Sequence, residues 1–169
     1  MKKYHYLHCL FLANIFFFQN VFASVTVSMY ETTKEGQGKS VGSVVMTETP
    51  NGLLLTPDLH DLSPGIHGFH IHQHPACENH GDAALGHFDP KNTGKHLGPY
   101  NDLGHLGDLP AIFVDANGKA SLPILAPRLK RLSVIKNHAL MIHGGGDNYS
   151  DQPLKLGGGG ARMECGIIE

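Results

Sequence analysis

The chain has 169 residues, 41% of them hydrophobic and 17% charged, which suits one soluble domain with a real core. Thirteen Lys and Arg stand against fifteen Asp and Glu, and the basic residues are scattered, so the clustered basic face that phosphate binding needs is missing and a nucleic-acid partner is excluded. Histidine is in excess, with thirteen in all. It is the commonest metal ligand and the side chain that titrates near neutrality, so the excess points to metal or proton chemistry.

The first segment reads as a signal peptide, residues 1–23. Lys2 and Lys3 open it, an apolar run from Cys9 to Phe18 follows, and Val21-Phe22-Ala23 offers small residues at a cleavage spacing. That run is too short to anchor in a bilayer, so the expected product is an exported, soluble chain from Ser24, free of the membrane once the signal is removed. Export takes away Lys2, Lys3 and Cys9, leaving eleven basic residues against fifteen acidic ones. In an oxidising compartment the two remaining cysteines, Cys77 and Cys165, most simply pair with each other.

Beyond Ser24, short alternating or apolar runs recur at 25–30, 41–47, 52–56, 66–73, 110–114, 119–125, 138–143 and 163–168, each bounded by Gly, Pro, Asn or Asp. They predict eight strands. No long window carries the 3.6-residue period of a helix, and Asn117-Gly118 predicts a hairpin between two of the strands. The fold class is all-β, a sandwich or flattened barrel in one domain over 24–169. Two segments, 74–109 and 144–162, are long, Gly-rich and poor in core residues, and ordered loops of that length are usually functional.

The chemistry gathers on one strand and these loops. Side chains two apart on a strand share a face, so Phe69 and Ile71 point to the core while His70 and His72 form a chelating pair on the outer side. His143 closes another strand, opposite in face to Leu140 and Ile142, and could add a third nitrogen. The long loop then presents His87, His96, His105 and Asp108, and three imidazoles with a carboxylate suit a closed tetrahedral zinc site. His67 shares the face of Phe69 and Ile71 and reads as a structural histidine bonded to backbone.

With these motifs in place the chain resembles the copper-zinc superoxide dismutases. "PGIHGFHIH" (64–72), "GHFDP" (86–90), "GKHLGP" (94–99), "GHLGDLP" (104–110), "LMIHGGGDNYSD" (140–151) and "GGGGARMECGII" (157–168) occur in family order, and the last two are similar to the bacterial exported branch. The resemblance implies a Greek-key eight-stranded fold with two long functional loops, a periplasmic location, and superoxide as substrate. It also implies one copper and one zinc ion per subunit and a homodimer. It assigns His70, His72, His87 and His143 to copper, and His87, His96, His105 and Asp108 to zinc, with His87 bridging the two ions. Asp147 becomes the carboxylate linking His70 to His96, Cys77 and Cys165 become the family disulfide, and Arg162 becomes the active-site arginine that meets the anion. On this reading copper is alternately reduced and reoxidised by superoxide, with His87 taking up and returning a proton. A metal carrier on the same fold would be expected to lack some of these ligands or the arginine. Glu164 departs from the family pattern: in an extended segment it would share the face of Arg162 and partly neutralise it.

Overall fold

A computed structural model describes residues 22–169, so the expected signal segment lies almost wholly outside the described residues. Nine strands form: β1 (Ser24–Thr32), β2 (Gln37–Thr49), β3 (Gly52–Leu59), β4 (Gly65–His67), β5 (Phe69–His72), β6 (Ile112–Val114), β7 (Ile124–Ala126), β8 (His138–His143) and β9 (Arg162–Ile168). Seven of them make one antiparallel sheet in the order β5-β8-β9-β1-β2-β3-β7, and β4 pairs with β6 in a second. The large sheet curls into a half-barrel, and its order places β9 beside β1 and β5 beside β8, the non-sequential neighbours of Greek-key wiring. Three short 3-10 turns are the other regular elements among the described residues, and no helix there is long and apolar enough to cross a membrane.

Alternation dictates which side is filled. Val27 and Met29 of β1, Val44 and Met46 of β2, Leu53 and Leu55 of β3 and Leu140 and Ile142 of β8 point into one core, together with Phe69, Ile71, Ile112 and Val114. Because that core draws on both sheets, neither is stable without the other. A smaller apolar group lies on the outer face of β8 and β9, where Ala139, Met141 and Cys165 meet Cys77 and Ala84. The Cys77–Cys165 disulfide closes it, with Cα atoms 5.8 Å apart.

Three expectations are corrected. The run 66–73 is two strands, broken at Gly68, whose N–H donates to Gly145 and whose carbonyl accepts from His143; the break sends β4 to the small sheet and β5 to the large one. The run 119–125 shrinks to β7, with only an isolated bridge from Ala120 to Leu59, because Pro123 has no N–H to give to a ladder. Asn117-Gly118 does turn the chain, closed by Asp115 N–H to the Lys119 carbonyl at 2.8 Å, yet the flanking strands diverge: β6 goes to β4 and β7 to β3.

Candidate metal centre

β5 is buried on both faces. Phe69 and Ile71 enter the core, while His70 and His72 point away from it and are roofed by the segments 86–109 and 144–161, leaving them 0% and 1% exposed. The expected outer surface is therefore an interior. β8 is hydrogen-bonded to β5 and brings in His143, and an isolated bridge between His72 and His87 ties the long loop to the same strand.

Two tetrads result, each with ligand atoms within 4.8 Å of one another: His70, His72, His87 and His143, and His87, His96, His105 and Asp108. His87 is the member common to both. In the second tetrad Asp108 Oδ1 lies 2.9 Å from His87 Nδ1, 3.0 Å from His96 Nδ1 and 3.4 Å from His105 Nδ1. In the first, His72 Nε2 and His143 Nε2 stand 3.2 Å apart, and the His70 and His87 rings stack at 4.0 Å.

Three of the outer nitrogens are held by acceptors, which fixes where the inner nitrogens of those rings aim. His72 Nδ1–H donates to the Leu85 carbonyl at 2.8 Å. Asp147 accepts from His70 Nε2–H on one oxygen and from His96 Nε2–H on the other, both at 2.8 Å. What is left over is informative: His70 Nδ1, His87 Nε2, His96 Nδ1 and His105 Nδ1 are buried without a hydrogen-bond partner. Buried polar atoms are nearly always satisfied, and these four converge on two points, so they fit cations. Four imidazole nitrogens suit copper and three imidazoles with a carboxylate suit zinc.

Electrostatics divides the tetrads. Burial, reinforced by neighbouring rings, drives His70 to about 3 and His143 to about 4 and holds His72 and His87 below the ordinary histidine value, so these rings are neutral with free lone pairs. His96 goes the other way: burial lowers it, but the two carboxylates beside it, Asp108 and Asp147, prevail and push it up to about 9. Those two carboxylates are themselves held well below the usual range, because their histidine partners outweigh burial. The second tetrad is thus built to surround positive charge.

The glycine run 157–160 lets the backbone close on this centre. A Cβ at Gly157 would overlap Asp147, and the left-handed φ of +73° there favours glycine in any case. His67 bonds to backbone as expected, with Nδ1 2.8 Å from the His143 carbonyl and Nε2 2.8 Å from that of Ser63.

Arg162 stands at the rim. Its Nη1–H donates to the Gly81 carbonyl at 2.6 Å, and its Nε lies 3.8 Å from Asp82 Oδ1. The expectation that Glu164 neutralises it is corrected. A bulge between Ile142 and His143 shifts the β8–β9 register, and the Arg162 guanidinium is held by the Gly81 carbonyl, with Asp82 and not Glu164 as the carboxylate within ion-pair range. Arg162 and Glu164 form no ion pair.

Two positions carried no sequence signal. Arg128 donates to the carbonyls of Gly98, Gly104 and His105, bracing the loop that carries all four residues of the second tetrad. Asp151 accepts from the backbone N–H of His96 at 2.9 Å. Backbone carbonyls and amides have no residue code, so such partners are invisible before folding.

The family model described as copper/zinc superoxide dismutase matches residues 40–168. A superoxide dismutase (Cu-Zn) 1 of Salmonella typhimurium strain LT2 is 56% identical over 154 residues, covering 86% of this chain and 87% of that protein. Among solved structures, the Cu/Zn superoxide dismutase from Brucella abortus superposes with a TM-score of 0.83 at 52% identity, over 87% of this chain and all of that one. The solution structure of the monomeric copper, zinc enzyme from Salmonella enterica gives 0.78 at 52% identity, with the same coverage.

Proposed function

Since the chain belongs to the copper/zinc superoxide dismutase family and dismutes superoxide to dioxygen and hydrogen peroxide with copper and zinc, we propose which of its residues do the work. His70, His72, His87 and His143 hold copper; His87, His96, His105 and Asp108 hold zinc; His87 is shared. The observation that carries this reading is the convergence of four buried, unpartnered imidazole nitrogens within two tetrads that have one ring in common. Bound copper supplies one-electron redox chemistry, while zinc, which has none, orients and polarises.

The protein's own part is positional. Asp147 fixes the tautomers of His70 and His96 from a single carboxylate, so the geometry of one tetrad is tied to that of the other. His72 is oriented by the Leu85 carbonyl, and burial keeps the first tetrad neutral, which favours nitrogen donation. His87 sits between the tetrads with Nε2 facing one and Nδ1 the other, so its ring can hold or release a proton at Nε2 without losing the Asp108 side. Arg162 offers a fixed positive charge at the rim, where an anion entering the centre arrives.

The same reading takes residues 1–23 as a signal peptide, the mature chain as periplasmic, where it removes superoxide arising outside the cytoplasm, and two copies as a homodimer. The solved Salmonella relative is described as monomeric, so sedimentation velocity on the mature chain decides the last point: a sedimentation coefficient of a single chain at micromolar concentration removes the homodimer. For the site, metal content per chain is measured beside superoxide decay for the native protein and for His87→Ala. One copper and one zinc per native chain, with loss of both zinc retention and catalysis above the free-copper background in the variant, is expected. A metallated crystal in which His87 touches one ion or neither overturns the assignment.

A further inference from the structure

We propose that Asp82 governs how fast this protein captures its anionic substrate, by holding down the positive field that Arg162 presents at the rim. This rests on the reading that Arg162 is the group an incoming anion meets.

Asp82 lies in the turn Gly81–Leu85, whose backbone grips the centre twice: the Gly81 carbonyl accepts from Arg162 at 2.6 Å and the Leu85 carbonyl accepts from His72 at 2.8 Å. The turn is itself anchored, since Gly81 N–H donates to the Cys77 carbonyl and Cys77 is disulfide-bonded to Cys165 on β9. Asp82 therefore has a fixed place beside Arg162. Its carboxylate is 3.8 Å from the Arg162 Nε, with Asp82 70% and Arg162 17% exposed. The negative group thus stands on the solvent side of the positive one.

The surroundings leave Asp82 as the acid that counts. Arg162 borders a cleft of about 580 Å³ that Glu31, Asp61, His80 and Glu164 also line. Asp61 is matched by Lys39 at 2.6 Å. Glu164 is buried in the wall and faces Glu31 across the β1–β9 ladder. Among the described residues Asp82 has no ion-pair partner except Arg162, and Asp82 is the only carboxylate in ion-pair range of that guanidinium. An orienting role is not required of it: Arg162 is already held by the Gly81 carbonyl, and 3.8 Å is beyond hydrogen-bond length. What remains is its charge. One unit charge several ångströms from the anion's path, in a solvent-exposed setting, alters encounter and affinity by about two- to threefold at low salt and by almost nothing once the Debye length falls to about 3 Å.

The test uses the copper- and zinc-loaded mature chain with Asp82→Asn, which keeps shape and removes charge. Azide, a small monoanion, is titrated against the oxidised protein and followed by its charge-transfer absorption, at low ionic strength and near 1 M salt. The azide dissociation constant is expected to fall about two- to threefold at low salt and to match the native value at high salt, with the second-order rate for superoxide rising in parallel. Asp82→Lys should extend both changes. Asp82→Asn should still tighten azide in an Arg162→Ala background, where an orienting role would have nothing left to orient. Unchanged or weaker azide binding in Asp82→Asn at low salt, or a gain that survives high salt, overturns the proposal. If Arg162→Ala alone leaves azide affinity unchanged, the reading of Arg162 fails instead, and the proposal falls with it.

Discussion

Glu164 shows how one residue can carry a cost that its neighbours do not relieve. It is 8% exposed on β9, faces Glu31 directly across the ladder, and shares its cleft with Asp61, Asp82, His80 and Arg162. Burial, with Glu31 adding to it, raises its carboxyl from 4.5 to about 7. The folded state therefore holds a proton between these values that the unfolded state has released, and stability declines as pH rises from about 4.5 to about 7 and stays lowered above that. Glu164→Gln removes the ionisation. The variant should match the native protein near pH 4.5 and exceed it by about 1–2 kcal/mol at pH 8, less than the full linkage value because solvent reaches the cleft. Denaturant melts at the two pH values check this, and an equal difference at both would show that packing, not charge, is responsible. The sequence could place Glu164 next to Arg162, but a two-residue period cannot foresee the register shift in the ladder between them.

At the scale of elements, periodicity was a good guide wherever a strand has one wet and one dry face. β1, β2, β3, β8 and β9 each lie near their predicted spans, since alternating apolar residues leave few other solutions. The candidate site was equally legible, because His70 and His72 sit two apart on a strand and the loop ligands are closely spaced; both tetrads assemble from the expected residues. What failed was pairing. The split at Gly68 and the parting of β6 from β7 are tertiary choices made by backbone hydrogen bonds without a local signal. The turn Gly81–Leu85 belongs to the same class. The disulfide joins it to β9 across 88 residues of chain, so its loss frees a long loop in the unfolded state, worth about 4–5 kcal/mol at most in the loop-entropy model. It also releases the carbonyls that hold Arg162 and His72. Cys77→Ser with Cys165→Ser should thus lower the denaturation midpoint and also weaken azide binding to the metallated protein. A purely entropic clip would change the first and leave the second untouched.

For the whole molecule, the centre and the fold divide the labour of stability. The half-barrel closes on its own apolar core, but the segments 86–109 and 144–161 bring few residues to it and are joined mainly through polar contacts: Asp147 to His70 and His96, Asp151 to the His96 amide, Asp108 to the Leu97 and Gly98 amides. Their buried nitrogens converge within each tetrad, where lone pairs repel unless a cation stands between them. Metal binding is then folding energy for the loops more than for the strands. At a thousandfold excess over its dissociation constant a bound ion contributes about 4 kcal/mol, which for a domain of this size moves the melting temperature by about 8–16 °C. Removing both metals with a chelator should lower the melting temperature by at least that much. Hydrogen exchange should speed up at the amides of residues 94–108 and 145–158 and hold nearly constant in β1, β2 and β3, whose ladders involve no ligand. Readdition of zinc alone should restore protection to 94–108 first, since His96, His105 and Asp108 belong to that stretch. Uniform deprotection across strands and loops would mean that the barrel, too, depends on the ions, and that its core is weaker than its apolar contacts indicate.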